Sequence, residues 1–177
     1  NNQEKINEHF EKRTIGYSSE QKELLQKRWA SRSKVENTKP KLEKIVDNII
    51  DDFEEKERLV NGKGNAILVA ENIDTAYEYY DLFMSKDFKK CAVITSYKLD
   101  PIKIEERKYL IHEQMLKTHG FEDNPDEFEK VIRKKFEKEP FNMRLLIVVD
   151  KLLTGFDAPS ATYLYIDKKM QDHSLFQ

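Results

Sequence analysis

The densest gathering of groups able to do chemistry is Asp150-Lys151-Leu152-Leu153-Thr154-Gly155-Phe156-Asp157-Ala158-Pro159. It places two carboxylates, a hydroxyl and a glycine within one short stretch. Gly155 permits close backbone approach or a positive φ angle, and Pro159 ends any helical turn and sends the chain onward. Taken by itself, Thr154-Gly155 reads equally as a simple turn. Three smaller groupings follow other apolar runs: Glu71-Asn72, Thr95-Ser96 and Asp167 onward. Thr95 and Ser96 offer hydroxyls for a phosphate, or they begin a turn. Asn72 reads as a helix cap, a ligand contact or both. His9, His112 and His119 share no metal-ligand spacing, and His173 reads as a surface or capping residue before an acid or base. Asp123, Asp126 and Glu127 sit among polar residues with no converging partner for a cation. No metal site is expected.

Composition removes whole classes of function. Thirty-one Lys and Arg against 33 Asp and Glu give a net charge of -2, which argues against a polybasic nucleic-acid binder while leaving local patches open. Gly16, Gly62, Gly64, Gly120 and Gly155 form neither a Walker A loop nor a dinucleotide fingerprint. The longest apolar runs, Ala66 to Ala70 and Leu145 to Val149, fall far short of the roughly 20 residues of a membrane span. Cys91 has no second cysteine to pair with, which fits a reducing compartment. It reads as a small core residue. No signal peptide is recognisable. The chain starts at Asn1 rather than Met and closes at Gln177 on an apolar-periodic stretch, so it reads as a piece of a longer cytoplasmic protein.

The elements that must position these groups follow from periodicity. Residues 1–39 read as a helical arm or interdomain linker, with Lys27, Arg28, Arg32 and Lys34 near Trp29. That basic and aromatic cluster could touch a nucleic-acid backbone, although a solvated arm is the default. Leu42, Ile45, Val46, Ile49, Ile50 and Phe53 predict a helix from Pro40 to Lys56, with Pro40 in its first turn. Asn61-Gly62-Lys63-Gly64-Asn65 is a loop by turn chemistry. Ala66–Ala70, Cys91–Thr95, Arg144–Val149 and Thr162–Ile166 read as strands covered on both faces.

Between them lies an amphipathic helix from near Asn72 (Ile73, Ala76, Tyr77, Tyr80, Phe83, Met84). A looser helix is marked by Ile104, Tyr109, Ile111, Met115 and Leu116. Another opens at Asp126 with Phe128, Val131, Ile132 and Phe136 on one face, and Asp126 and Glu129 as a capping pair. Its Lys130, Arg133, Lys134, Lys135 and Lys138 suggest either a DNA-facing stripe or, by default, a solvated face. Strands alternating with helices imply an α/β fold, a parallel sheet with flanking helices. In such sheets ligands bind at the carboxyl ends of the strands, where all four groupings fall.

The full run Ile147 to Pro159 resembles motif V of the motor subunit of type I restriction enzymes. Leu164 to Lys168 and Asp172 to Gln177 are similar to that family's approach to motif VI, and Ala66 to Phe83 to its motif IV region. The resemblance covers roughly residues 40–177. It implies a superfamily 2 DNA translocase fused to a nuclease, with residues 40–177 as most of the second RecA-like motor domain, of P-loop NTPase type and incomplete after motif V. By the same resemblance, Gly155 and Asp157 line a nucleotide cleft. Asp150 and Thr154 couple it to the DNA track, and Asn72, Thr95 and Ser96 contact phosphates of the tracking strand. Gln177 marks the start of motif VI.

ATP and Mg²⁺ are the implied cofactors of the parent, with neither held tightly by this chain. The phosphate loop, the Mg²⁺-binding acids, the motif VI arginines and the nuclease centre would lie elsewhere in the parent, so the chain by itself is expected to be inactive, with no catalytic residue of its own. Implied partners are double-stranded DNA, the first RecA-like and nuclease domains, and methyltransferase and specificity subunits; none is a membrane. Two other readings are a non-catalytic α/β protein-binding module and a motor domain of another superfamily 2 helicase.

Overall fold

The structure, a computed structural model, describes residues 16, 18–104, 106–149 and 159–168, without the side chains of residues 25–38 and 101. The chain divides into two compact units, residues 1–43 and 44–177. In chain order the elements are α1 (Ser19–Glu55), the single turn α2 (Glu57–Val60), β1 (Asn65–Ala70) and α3 (Ile73–Ser85). Then come β2 (Cys91–Ile94), a 3₁₀ turn (Pro101–Lys103), α4 (Arg107–His119), α5 (Pro125–Lys138), β3 (Leu145–Val148) and β4 (Ala161–Asp167).

In the second unit the four strands form one parallel sheet in the order β2-β3-β1-β4. The two strands with five-residue apolar runs, β1 and β3, occupy its centre, where both faces and both edges are covered. The expected α/β architecture is therefore present and is consistent with a RecA-like fold. Edge strand β2 is buried throughout, and its Val93 N–H donates to Met115 Sδ of α4 at 3.2 Å. A side chain thus occupies part of an edge that would otherwise invite pairing.

The other edge corrects an expectation. β4 is not covered on both faces: Leu164 is 55% and Ile166 46% exposed. Alternation puts Tyr163 and Tyr165 on the opposite face, where Tyr165 Oη donates to Asp52 Oδ2 at 2.8 Å. Tyrosine and leucine are both apolar in a sequence pattern, so composition hides which face is turned inward.

Several local details also differ from expectation. Pro40 lies inside α1 rather than in its first turn; residues 19–39 contain no glycine or other proline and are rich in helix formers, so the helix forms ahead of it although proline removes one backbone bond. The helix α5 begins at Pro125, whose fixed φ suits a first position. Asp126 is then a first-turn acid rather than a cap, and Glu129 accepts from Arg133 Nη2 at 2.6 Å. Val131 is partly exposed, and Ile104, 52% exposed, follows the 3₁₀ turn instead of joining α4. Lys130, Lys134 and Lys138 are exposed along α5, as either reading of that stripe requires.

Packing at the amino ends of the strands sets the sheet's position. Asn65 is fully buried and its Nδ2 donates to Phe136 O (2.7 Å) and Met143 O (3.2 Å), tying β1 to the end of α5 and the approach to β3. Arg144 Nη2 donates to Leu59 O at 2.7 Å while its guanidinium lies 4.6 Å from the Phe53 ring centroid. The loop between α2 and β1 needs its glycines: Gly62 has φ +70, and a Cβ there would stand 2.6 Å from Phe141 Cδ2. A Cβ on Gly64 would strike Thr162 Oγ1. The Gly-x-Gly spacing is explained by packing.

Candidate functional site at the carboxyl ends of the strands

Because all four strands run the same way, their carboxyl ends share one edge of the sheet. After β1, Glu71 and Asn72 are exposed. Asn72 adopts extended backbone angles and its Oδ1 accepts from Thr75 N–H at 2.9 Å, so it is the N-cap of α3. The capping half of the Asn72 reading is correct. Such a bond satisfies one of the donors that a helix start leaves unpaired.

After β2 the geometry is richer. Thr95 is buried (9% exposed), whereas Ser96 is exposed. Thr95 Oγ1 accepts from Tyr97 N–H at 3.2 Å. Tyr77 Oη lies 2.5 Å from His112 Nδ1. Burial pushes His112 down from 6.5 to about 4, consistent with a neutral ring, and burial raises Tyr77 well above the ordinary tyrosine range. The Tyr97 ring packs edge-on against Tyr77 (centroids 5.6 Å apart) and His112 (5.7 Å).

β3 ends at Val148 with Val149 buried behind it. Asp150, Thr154, Gly155 and Asp157 lie outside the described residues, as do His9, His173 and Gln177, and the side chains around Trp29 are likewise undescribed. The described chain resumes at Pro159, and Ser160 O accepts from Asn65 N–H at 2.9 Å at the amino ends of the strands. Residues 150–158 therefore connect the carboxyl end of β3 to the amino end of β4. At the end of β4, Tyr79 Oη of α3 donates to Asp167 Oδ2 at 2.7 Å. Burial, with the hydrogen bond to Asp167 second, pushes Tyr79 far up.

The remaining candidates are structural. Cys91 Sγ donates to Phe88 O at 3.2 Å, and burial raises its thiol. His119 Nε2 is 3.0 Å from Cys91 O; a carbonyl only accepts, so Nε2 carries the proton. Asp123, Asp126 and Glu127 are exposed, and among the described residues no group of three or more His, Cys, Asp or Glu could hold a metal. Periodicity counted Tyr77 only as part of an apolar stripe and passed over His112. The two are 35 residues apart, and no spacing rule joins them.

These features define a parallel α/β domain with polar side chains gathered at the strand carboxyl ends. A family model described as type I restriction enzyme subunit R domain 3 matches residues 62–177. A protein of Methanocaldococcus jannaschii bearing the name type I restriction enzyme MjaVIIP endonuclease subunit is 30% identical over 159 residues, 85% of this chain and 14% of that protein. MjaVIIIP of the same organism, similarly named, is 31% identical over 142 residues, covering 75% of this chain and 13% of the relative. The type I restriction enzyme HindI endonuclease subunit of Haemophilus influenzae is 37% identical over 73 residues, covering 36% of this chain and 7% of its own length. The chain belongs to the type I restriction enzyme R-subunit family, within its domain 3, and spans about 14% of the longest-matching curated relatives. No described helix is long and apolar enough to cross a membrane.

Proposed function

We propose that this chain is part of an ATP-dependent subunit that translocates and cleaves DNA in a type I restriction-modification system, and that it is the second of two RecA-like motor domains. One observation carries the reading: parallel strands bring Asn72, Ser96 and the start of the Ile147–Pro159 segment to one edge of the sheet. That is the edge where open parallel sheets bind their ligands. In this reading Gly155 and Asp157 line the motif V side of an interdomain ATP cleft, and Asp150 and Thr154 couple it to DNA. Asn72, Thr95 and Ser96 belong to the DNA track, with Ser96 the hydroxyl exposed enough to meet a phosphate. Phosphate contacts of this kind hold the DNA in register without reading its sequence.

ATP and Mg²⁺ would be bound mainly by the first motor domain. Motif VI would start at Gln177. The chain alone would then neither hydrolyse ATP nor cut DNA; the activity needs the first motor domain, the nuclease domain, and the methyltransferase and specificity subunits. The cytoplasm is the expected compartment of such an assembly.

Replacing Asp157 by Ala in the whole subunit, assembled with its partner subunits, tests the reading. DNA-stimulated ATP hydrolysis should fall by about a hundredfold or more, the order expected when a positioned polar group at a reacting centre is removed, while DNA binding persists. Undiminished ATP turnover would remove Asp157 from the cleft and with it the motif V assignment.

A further inference from the structure

The helix α5 lies away from the carboxyl ends of the strands. Near its start Phe128 packs on His119 (ring centroids 5.8 Å apart), whose Nε2 is 3.0 Å from the carbonyl of Cys91, the first residue of β2. At its end Phe136 O accepts from Asn65, the first residue of β1. The helix therefore crosses the amino ends of the strands. Phe128, Ile132 and Phe136 bury one side of it, and Lys130, Lys134 and Lys138 are exposed on the other, four residues apart. At the rise of an α-helix they stand ~6 Å from one another along the axis.

The acids of α5 do not offset this row. Asp126 and Glu127 are confined to the first turn, where the helix dipole favours negative charge. Glu129 accepts from Arg133 Nη2, and Glu137 is half-buried. The dipole also accounts for Lys138 in the last turn, but Lys130 and Lys134 lie before that turn. Several lysines elsewhere face a carboxylate: Lys56 is 3.8 Å from Asp52, Lys86 2.8 Å from Asp47 and Lys89 2.7 Å from Asp87. Among the described residues Lys130, Lys134 and Lys138 have no ion-pair partner. Three residues past Lys138, Phe141 is 59% exposed with Lys90 Nζ 3.7 Å from its ring centroid, so a further cation stands beyond the end of the helix.

We propose that the Lys130, Lys134 and Lys138 face of α5 is a second nucleic-acid contact, which binds phosphates of duplex DNA without regard to sequence at the opposite end of the strands from the proposed cleft. Lysine is depleted at protein–protein interfaces, whereas rows of lysines gain affinity by neutralising phosphates and releasing their counterions. Phosphates recur every ~3.4 Å of axis along one strand of the duplex, so lysines ~6 Å apart meet about every second one. Such contacts fix the position of DNA and leave its sequence unread. The inference rests on the proposed DNA binding of the parent, to which it adds a surface.

The test uses the whole subunit and a short DNA duplex of arbitrary sequence, with affinity measured across a range of salt concentrations. Lys130→Gln, Lys134→Gln and Lys138→Gln combined should reduce the slope of log affinity against log salt by about 2 to 3, because each phosphate contact contributes about 0.9. Gln matches Lys in helix propensity, so α5 should persist. The reduction should be the same on duplexes of unrelated sequence, and Lys130→Arg, Lys134→Arg and Lys138→Arg combined should keep the wild-type slope. Lys56→Gln, Lys86→Gln and Lys89→Gln combined remove the same charge from ion-paired positions off α5 and should also keep it.

An unchanged slope in the α5 glutamine variant, while wild-type affinity falls with salt, overturns the α5 contact and leaves the DNA reading standing. An equal reduction in the Lys56, Lys86 and Lys89 variant also overturns it, since the effect would then be one of net charge. An unaltered DNA slope with weakened assembly onto the partner subunits would give the face to an acidic protein surface instead. If the wild-type subunit shows no salt-dependent binding to the duplex, the DNA reading fails first and the α5 contact falls with it.

Discussion

Two strand ends of this sheet carry similar sequence and have opposite fates. After β1, Asn72 makes a bond to Thr75, three residues on, and stays exposed. After β2, Thr95 is buried and accepts from the N–H of Tyr97, whose ring packs against Tyr77 of α3 and His112 of α4. Both residues are polar, both follow an apolar run, and both sit on the same edge. The first is a local cap that α3 would use on any sheet. The second lies under a ring that packs on Tyr77 and His112, and those two meet only because α3 and α4 pack beside each other. A polar residue at a strand end is therefore not evidence of a ligand contact until its partners are known; at β2 the buried Thr95 has the exposed Ser96 as its neighbour.

The sharpest way to break this contrast is Tyr77→Ala. Tyr77 is 1% exposed, and removing a buried aromatic ring should lower unfolding free energy by about 3–5 kcal/mol in denaturant titration. A loss below about 1 kcal/mol would mean that the β2 end is no more constrained than the β1 end.

Acid gives a second, smaller effect. The folded state holds His112 near 4 against an ordinary value of 6.5, so between those pH values the unfolded chain binds the proton and the folded chain does not. Stability should be fully present above pH 6.5 and decline as pH falls towards 4, by about 2 kcal/mol after allowance for partial solvent access. His119, lowered by burial, acts in the same direction. His112→Gln should flatten most of the slope, and a slope unchanged in that variant would assign it to other groups.

The smallest effect belongs to the cap. Asn72→Ala should lower stability by about 1 kcal/mol, and its effect should add to that of Tyr77→Phe within about 0.5 kcal/mol, as for sites sharing no partner. Measured non-additivity in the double variant would show that the two strand ends are coupled after all.

Much of the architecture was legible. The five-residue apolar runs of β1 and β3 mark strands buried on both sides, and they are the central pair. The stripe Val46, Ile49 and Phe53 marks the buried face of α1, and the Asn72–Thr75 cap is an i, i+3 relation readable without coordinates. β4 was misread because Thr-Tyr-Leu-Tyr-Ile is apolar on both alternating faces; only its edge position decides that Leu164 and Ile166 are exposed. The start of α5 was misplaced by one residue, since two acids looked like a cap where Pro125 had already set the first turn.

The sequence by itself determined the local features: strand and helix periods, the Asn72 cap, and the Ile147–Pro159 run that marks the family. Each depends on residues within a few positions of one another, where backbone geometry leaves few alternatives. Tertiary structure decided which strands lie at the edges, which polar residues remain exposed, and that Tyr77 and His112 meet. Those outcomes depend on strand order and helix packing. A hydrogen bond between residues 35 apart has no periodic signature; it forms only when the sheet brings α3 and α4 together and excludes water from the space between them.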